Sequence, residues 1–377
     1  MVPSTALSQL AGFCAVLLFA FGNVMAEAPD SLAQEFPKTD FSKRTTSLDD
    51  FRAGGPPRDG IPAIDRPEFI NVEEAAGFLD EREPVILLSI GSDVRAYPLQ
   101  ILIWHEIVND TVGGLPVVVT FCPLCNAALV FERRIDGVEL DFGTTGRLRL
   151  SDLVMYDRRT ESWWQQFTGE GLIGEHAGRE LREVPSQIVS FHRFAEAHPA
   201  GRVLSRRTGY RRPYGQNPYR GYDSIDSSPF MLKGKPDPRL PPMERVLGVH
   251  IDGKARIYPL SRIEERGVIE DELAGTPLVV VARKGMLSVL DEQRIDQSRK
   301  VPAAAAFRAE HTGRRLHFEK VDGEMRDRET GSRWNLLGAA VEGPLKGAEL
   351  ELLPGGVHFA FAWLAFRPGS EVYAADF

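Results

Sequence analysis

Two thiols are the residues best suited to chemistry in this 377-residue chain. Residues 117–131 read VVVTFCPLCNAALVF, a β-branched run into Cys122-Pro123-Leu124-Cys125 and a second apolar run out of it. A C-x-x-C spacing sets two sulfurs close enough to share a metal ion or a disulfide. Stapling the fold is a poor reason for that spacing. A loop of about four residues gives only ~2 kcal/mol in the loop-entropy model, against ~4.7 for a hundred-residue loop. His105 precedes the same apolar run and is the best third ligand, with Glu106 or Asp110 next in line. Thiolate plus imidazole suits zinc or copper rather than magnesium or calcium. A complete structural zinc site commonly takes four ligands from two such pairs, and one pair is present here.

Two further readings compete with a metal-thiolate site. Proline inside C-x-x-C recurs in thiol–disulfide oxidoreductases, where Cys122 and Cys125 would form the redox couple. There the active thiolate sits at a helix N-terminus, whereas Ala127 to Phe131 reads as a strand. The third reading is a non-catalytic binding or scaffold module of the cell envelope. Gly143, Thr144, Thr145 and Gly146 would then offer backbone N–H groups to an anion beside Arg147 or Arg149, although a plain hairpin connection explains the same residues. C-type haem needs His after the second Cys, and Asn126 stands there. A Cys–His hydrolase needs a single exposed nucleophile, which a paired Cys does not suggest. The metal reading is preferred; the residues define a site without defining a reaction.

The elements that must hold the thiols are strand, tight turn, strand. Asn126 fits the turn, because Asn tolerates the left-handed conformation better than most residues. Residues 84–90 (PVILLSI) read as a buried strand, 94–99 (VRAYPL) as a second, and 72–79 (VEEAAGFL) as a short helix. Hairpin-like spacing and glycine turns predict a β-rich α+β fold of mostly antiparallel strands.

An internal duplication organises the chain. Arg95, Tyr97, Pro98 and Leu99 match Arg256, Tyr258, Pro259 and Leu260, 161 positions later. Asp110, Gly114, Pro116 and Val118-Val119 match Asp271, Gly275, Pro277 and Val279-Val280 at the same offset. Asp157, Arg158, Thr160, Ser162 and Trp164 then match Asp327, Arg328, Thr330, Ser332 and Trp334 at an offset of 170. This predicts two homologous modules, 66–204 and 243–377, each with a helix near its end. The second copy has Arg283 and Met286 at the cysteine positions and Arg266 at His105, and it is shorter across the Gly143–Asp152 stretch. Copy one therefore carries the site, with Cys122, Cys125 and His105 converging and the Gly143–Asp152 loop lining the opening. Asp157 recurs as Asp327, which suggests a turn role. Trp164 recurs as Trp334 and reads as core, whereas Trp163 is free to lie at a surface.

The remaining segments set the surroundings. Residues 10–21 (LAGFCAVLLFAF) form an apolar core of signal-peptide length, followed by Val24-Met25-Ala26 with small residues at the cleavage positions. A signal peptide over 1–26 predicts a periplasmic or extracellular protein with no transmembrane span in the mature chain. Residues 27–65 read as an extended lead-in without its own core. Residues 205–242 carry Tyr210, Tyr214, Tyr219 and Tyr222, with Arg206, Arg207, Arg211, Arg212 and Arg220 among them, and read as a strap packed across both modules. A net charge of −8 argues against nucleic acid as a partner.

The motifs together resemble a known family. Residues 55–62 (GPPRDGIP), 95–99 (RAYPL), 105–110 (HEIVND), 120–125 (TFCPLC) and 153–158 (LVMYDR) occur in the order seen in the exported bacterial and archaeal family catalogued as domain of unknown function 3179. The resemblance covers nearly everything after the signal and brings no activity, substrate or cofactor with it. In that family Gly often follows the second Cys, where this chain has Asn126.

Overall fold

The computed structural model describes residues 30–374, so the expected signal peptide lies outside the described residues. Among the described residues strands dominate and the helices are short, none longer than seven residues. Among the described residues no helix is long and apolar enough to cross a membrane. Among the described residues, pairing between the named strands is antiparallel in all but two cases, where Arg202–Leu204 joins Asp93–Pro98 and Glu371–Val372 joins Lys254–Pro259 in parallel.

The same strand order appears in both halves. In the N-terminal half Pro84–Ile90 lies between Gln187–Ser190 and Asp93–Pro98; in the C-terminal half Arg245–Ile251 lies between Gly355–Phe359 and Lys254–Pro259. A three-stranded meander follows in each. It comprises Ile107–Val112, Leu115–Cys122 and Ala127–Glu132 in the first half, and Val268–Leu273, Thr276–Leu287 and Lys300–Arg308 in the second. A third sheet is built on Phe142–Arg149 and Asp152–Asp157, answered by Phe318–Val321 and Glu324–Asp327. Helices Phe191–Ala197 and Ala360–Phe366 occupy the predicted places near the end of each half. The predicted short helix forms over Val72–Ala75, where Asn71 and Glu74 satisfy each other's backbone N–H groups in a capping box.

The matched polar residues make matched bonds. Asp110 accepts from Arg95 at 2.7 Å and from the Tyr97 hydroxyl at 2.6 Å; Asp271 accepts from Arg256 at 2.6 Å and Tyr258 at 2.8 Å. Asp157 takes the Thr160 N–H and hydroxyl and the Trp164 indole N–H, and Asp327 takes the same groups of Thr330 and Trp334. Each aspartate orders a turn and anchors a buried tryptophan, so its charge is used structurally.

The halves differ at two hairpin tips. Leu115–Cys122 and Ala127–Glu132 close through a turn of four residues, whereas Thr276–Leu287 and Lys300–Arg308 run on to a longer connection. Conversely, the Phe142–Arg149 hairpin is long where Phe318–Val321 is short. Gly143–Asp152 is therefore strand and turn rather than the expected loop. The Gly-Thr-Thr-Gly run is a bulge within it: Gly146 sits at φ 71°, and a Cβ there would lie 2.3 Å from the Pro56 carbonyl oxygen. The Thr144 and Thr145 hydroxyls donate to the Ile61 and Val154 carbonyls, which fixes the bulge.

Two connecting segments cover this frame. Phe36, Phe41 and Phe51 pack edge-on against Trp163 at 5.0, 5.7 and 5.2 Å, so Trp163 is wholly buried instead of surface-lying. The N-terminal segment supplies a cover that the spacing of Trp163 could not announce. The strap touches both halves, through Tyr214 on His105 and through Asn217 and Gly221 on the Gln293 and Asp291 carbonyls.

Candidate metal centre

The turn that holds the thiols is made by local chemistry. Cys122 pairs with Ala127 across the hairpin, and the Cys125 and Asn126 N–H groups donate to the Cys122 and Pro123 carbonyls. Proline fixes the entry dihedral of such a turn, and Asn126 takes the left-handed exit at φ 49°, as its residue type led one to expect. The C-terminal half caps the turn, because the Phe359 N–H donates to the Cys125 carbonyl at 3.0 Å and Asn126 reaches the Val357 carbonyl at 3.4 Å.

Both cysteines are buried and unbridged, with their sulfurs 4.0 Å apart. A disulfide would need ~2.05 Å. Two zinc–sulfur bonds of ~2.3 Å at the tetrahedral angle would set the sulfurs about 3.8 Å apart. Asp152 completes the group: one ligand atom from each of Cys122, Cys125 and Asp152 lies within 4.8 Å of the other two. Asp152 arrives from the tip of the long hairpin, just after Leu150 and Ser151, which both adopt positive φ and turn the chain in two residues. Its Oδ2 accepts from Gln165 at 2.6 Å and from the Phe167 N–H at 3.0 Å, while Oδ1 is buried without a partner. The Cys125 thiol faces the Ser151 carbonyl at 3.6 Å.

Burial governs the protonation of this group. It pushes the Asp152 carboxyl up to about 6 against the hydrogen bonds that hold it down. It pushes both thiols up as well, Cys125 furthest. Three acidic groups in one dry place without a cation are therefore held toward their neutral forms. A divalent ion reverses that preference, since bound thiolates and carboxylates shed their protons to it.

The structure does not bring His105 to the thiols. His105 is fully buried, its Nδ1 meets the Pro62 carbonyl at 2.7 Å, and its Nε2 meets the Tyr214 hydroxyl at 2.7 Å. Both ring nitrogens are thus spent on pinning the lead-in and the strap. Its neighbour Glu106 lies closer to the chemistry. Glu106 is 6% exposed, forms no side-chain hydrogen bond among the described residues, and is pushed up to about 8, by burial first and then by the nearby Asp152 charge. Of the Gly143–Gly146 run, Thr144 and Gly146 line a cavity of about 230 Å³ that Glu106 also faces. Asp152 stood at the end of the stretch that lacks a counterpart in the C-terminal half, and that was the available sign of its role.

Fold and site together define a β-rich protein whose N-terminal half carries a buried Cys–Cys–Asp group. The chain belongs to the DUF3179 family, described as a protein of unknown function, whose model matches residues 58–370. No curated protein and no solved structure matches it.

Proposed function

We propose that Cys122, Cys125 and Asp152 bind one transition-metal ion, zinc or copper, in a protein exported to the periplasm or beyond. The supporting observation is the spacing: three buried residues each bring one ligand atom within 4.8 Å of the other two, and the carboxylate among them has one oxygen without a hydrogen-bond partner. Cys₂Asp leaves the fourth position of a tetrahedral ion to a small molecule, the pattern of reactive rather than purely structural sites. Gln165 and the Phe167 N–H orient the carboxylate ligand from behind. His105 is not part of this set, since its nitrogens hold Pro62 and Tyr214.

The thiol-redox alternative asks for an accessible, acidic thiol, and both thiols here are buried and pushed up. The envelope-scaffold alternative gives no reason for three ligand-type side chains to meet in the core. We read residues 66–204 and 243–377 as copies of one module, joined by the strap 205–242, in which the second has lost the site. Recurrent strand order and recurrent Asp-centred bonding support that reading.

Cobalt(II) tests the ligand set. Titration into metal-stripped protein is expected to give thiolate-to-cobalt charge transfer and the strong visible bands of a tetrahedral ion. Cys122→Ser/Cys125→Ser abolishes both, and Asp152→Asn shifts the visible bands. Weak octahedral bands without charge transfer would refute thiolate ligation.

A further inference from the structure

The cavity beside the thiols has a composition that selects a ligand. Its walls are Leu124, Leu148, Leu153 and Ile61, and the strap closes it with Tyr219, Tyr222 and Phe230. At ~30 Å³ per water it has room for about seven waters, or one small organic molecule. Two charged residues line it. Arg147 is turned to Glu35 at 2.5 Å, so its charge is already met. Glu106 is not: its carboxyl is buried, faces the cavity and has no hydrogen-bond partner among the described residues.

Glu106 also holds an unusual backbone position. Its φ is 59°, in the left-handed region, between helix Leu99–Leu102 and strand Ile107–Val112. Its N–H donates to the Leu102 carbonyl and its carbonyl accepts from Phe121. At the matching place in the C-terminal half stands Gly267, at φ 69°, bonded in the same way to Ile263 and Ala282. Glycine adopts this conformation freely, whereas a side chain there costs ~1–2 kcal/mol. The N-terminal half thus carries a strained, buried, unpartnered carboxyl where the fold needs only a glycine, which is the pattern of a residue kept for binding.

We propose that this cavity binds a small organic ammonium compound, an amine on an apolar body, with Glu106 as its charge partner. Two features select a cation. Tyr219, Tyr222 and Phe230 line the cavity with aromatic side chains, and the faces of such rings attract ammonium groups. Apart from the Glu35-paired Arg147, the ionisable groups at and beside the cavity are acidic, and Cys₂Asp around a divalent ion still carries a net negative charge, so an anionic ligand is repelled from the metal-bound protein. The pocket deepens the metal reading by naming what stands beside the ion, yet its ligand selectivity does not require the ion.

Calorimetry with benzylamine, benzyl alcohol and benzoate tests this, each carrying one ring and a different polar group, with the metal content of every sample measured. Benzylamine is expected to bind at least tenfold more tightly than benzyl alcohol, and benzoate not at all. Glu106→Gln should lower benzylamine to the level of benzyl alcohol and leave the alcohol unchanged. Leu124→Trp, which fills the cavity, should remove both, with circular dichroism reporting an intact fold. Equal affinity for amine and alcohol, or an amine preference that survives Glu106→Gln, overturns the proposal. So does loss of metal from Glu106→Gln with undiminished amine binding, which would place Glu106 on the ion. Amine selectivity in protein without metal upholds the pocket while removing the metal reading; metal without amine selectivity does the reverse.

Discussion

The N-terminal and C-terminal halves repeat a strand order and differ at their hairpin tips. Each builds three sheets with a corresponding central strand order, pins a tyrosine and an arginine to one aspartate, and anchors a buried tryptophan on another. Only the N-terminal half draws one hairpin tight around two thiols and extends the next until Asp152 meets them. The C-terminal half puts Arg283 and Met286 at those positions, and the Arg283 guanidinium hydrogen-bonds the Gly267 and Ala282 carbonyls. The comparison teaches where function sits in such a fold. Framework positions are held by bonds that both halves need, and the site lies in the segments whose lengths are free to change.

The largest expected effect tests the shared framework. Asp157→Ala and Asp327→Ala each strip a buried carboxylate from a Thr N–H, a Thr hydroxyl and a Trp indole. Each should cost about 3 kcal/mol in denaturant unfolding. Costs that differ by more than ~2 kcal/mol would break the equivalence of the halves.

An effect of similar size belongs to the N-terminal half alone. Burial holds His105 at about 4, below its ordinary 6.5. The folded state keeps the ring neutral while the unfolded chain takes up a proton below pH 6.5. This stability is therefore complete above pH 6.5 and lost as the pH falls toward 4, by up to ~3 kcal/mol at ~1.4 kcal/mol per tenfold. In His105→Gln the fall between those pH values should be shallower; an unchanged slope would show that His105 is not the group responsible.

The smallest effect sharpens the contrast at one backbone position. Glu106→Gly should stabilise the fold by about 1 kcal/mol, because it removes both a strained φ and a buried carboxyl. Gly267→Ala should destabilise it by ~1–2 kcal/mol for the converse reason. Thermal melting of the two variants, read with the same probe, checks the opposite signs.

These contrasts also mark how far the sequence was legible. The thiol hairpin could be read because its determinants are local: β-branched runs, Pro123 at the turn entry and Asn126 at its exit. The antiparallel sheets and the terminal helices followed from spacing and turn residues. Asp152 could not be read in the same way, since it reaches the thiols through tertiary packing from the next hairpin, and Glu106, readable only as a further ligand, faces the neighbouring cavity. His105 misled because proximity in sequence suggested proximity in space, while the lead-in and the strap took both its nitrogens. Trp163 misled because its cover, Phe36, Phe41 and Phe51, comes from more than a hundred residues earlier in the chain.

The most direct test of the central claim is the metal-to-protein ratio of the protein, purified without reductant or chelator, beside Cys122→Ser/Cys125→Ser. The account predicts about one zinc or copper per chain in the native protein and none in the variant. No metal in the native protein, or the same amount in both, would contradict it.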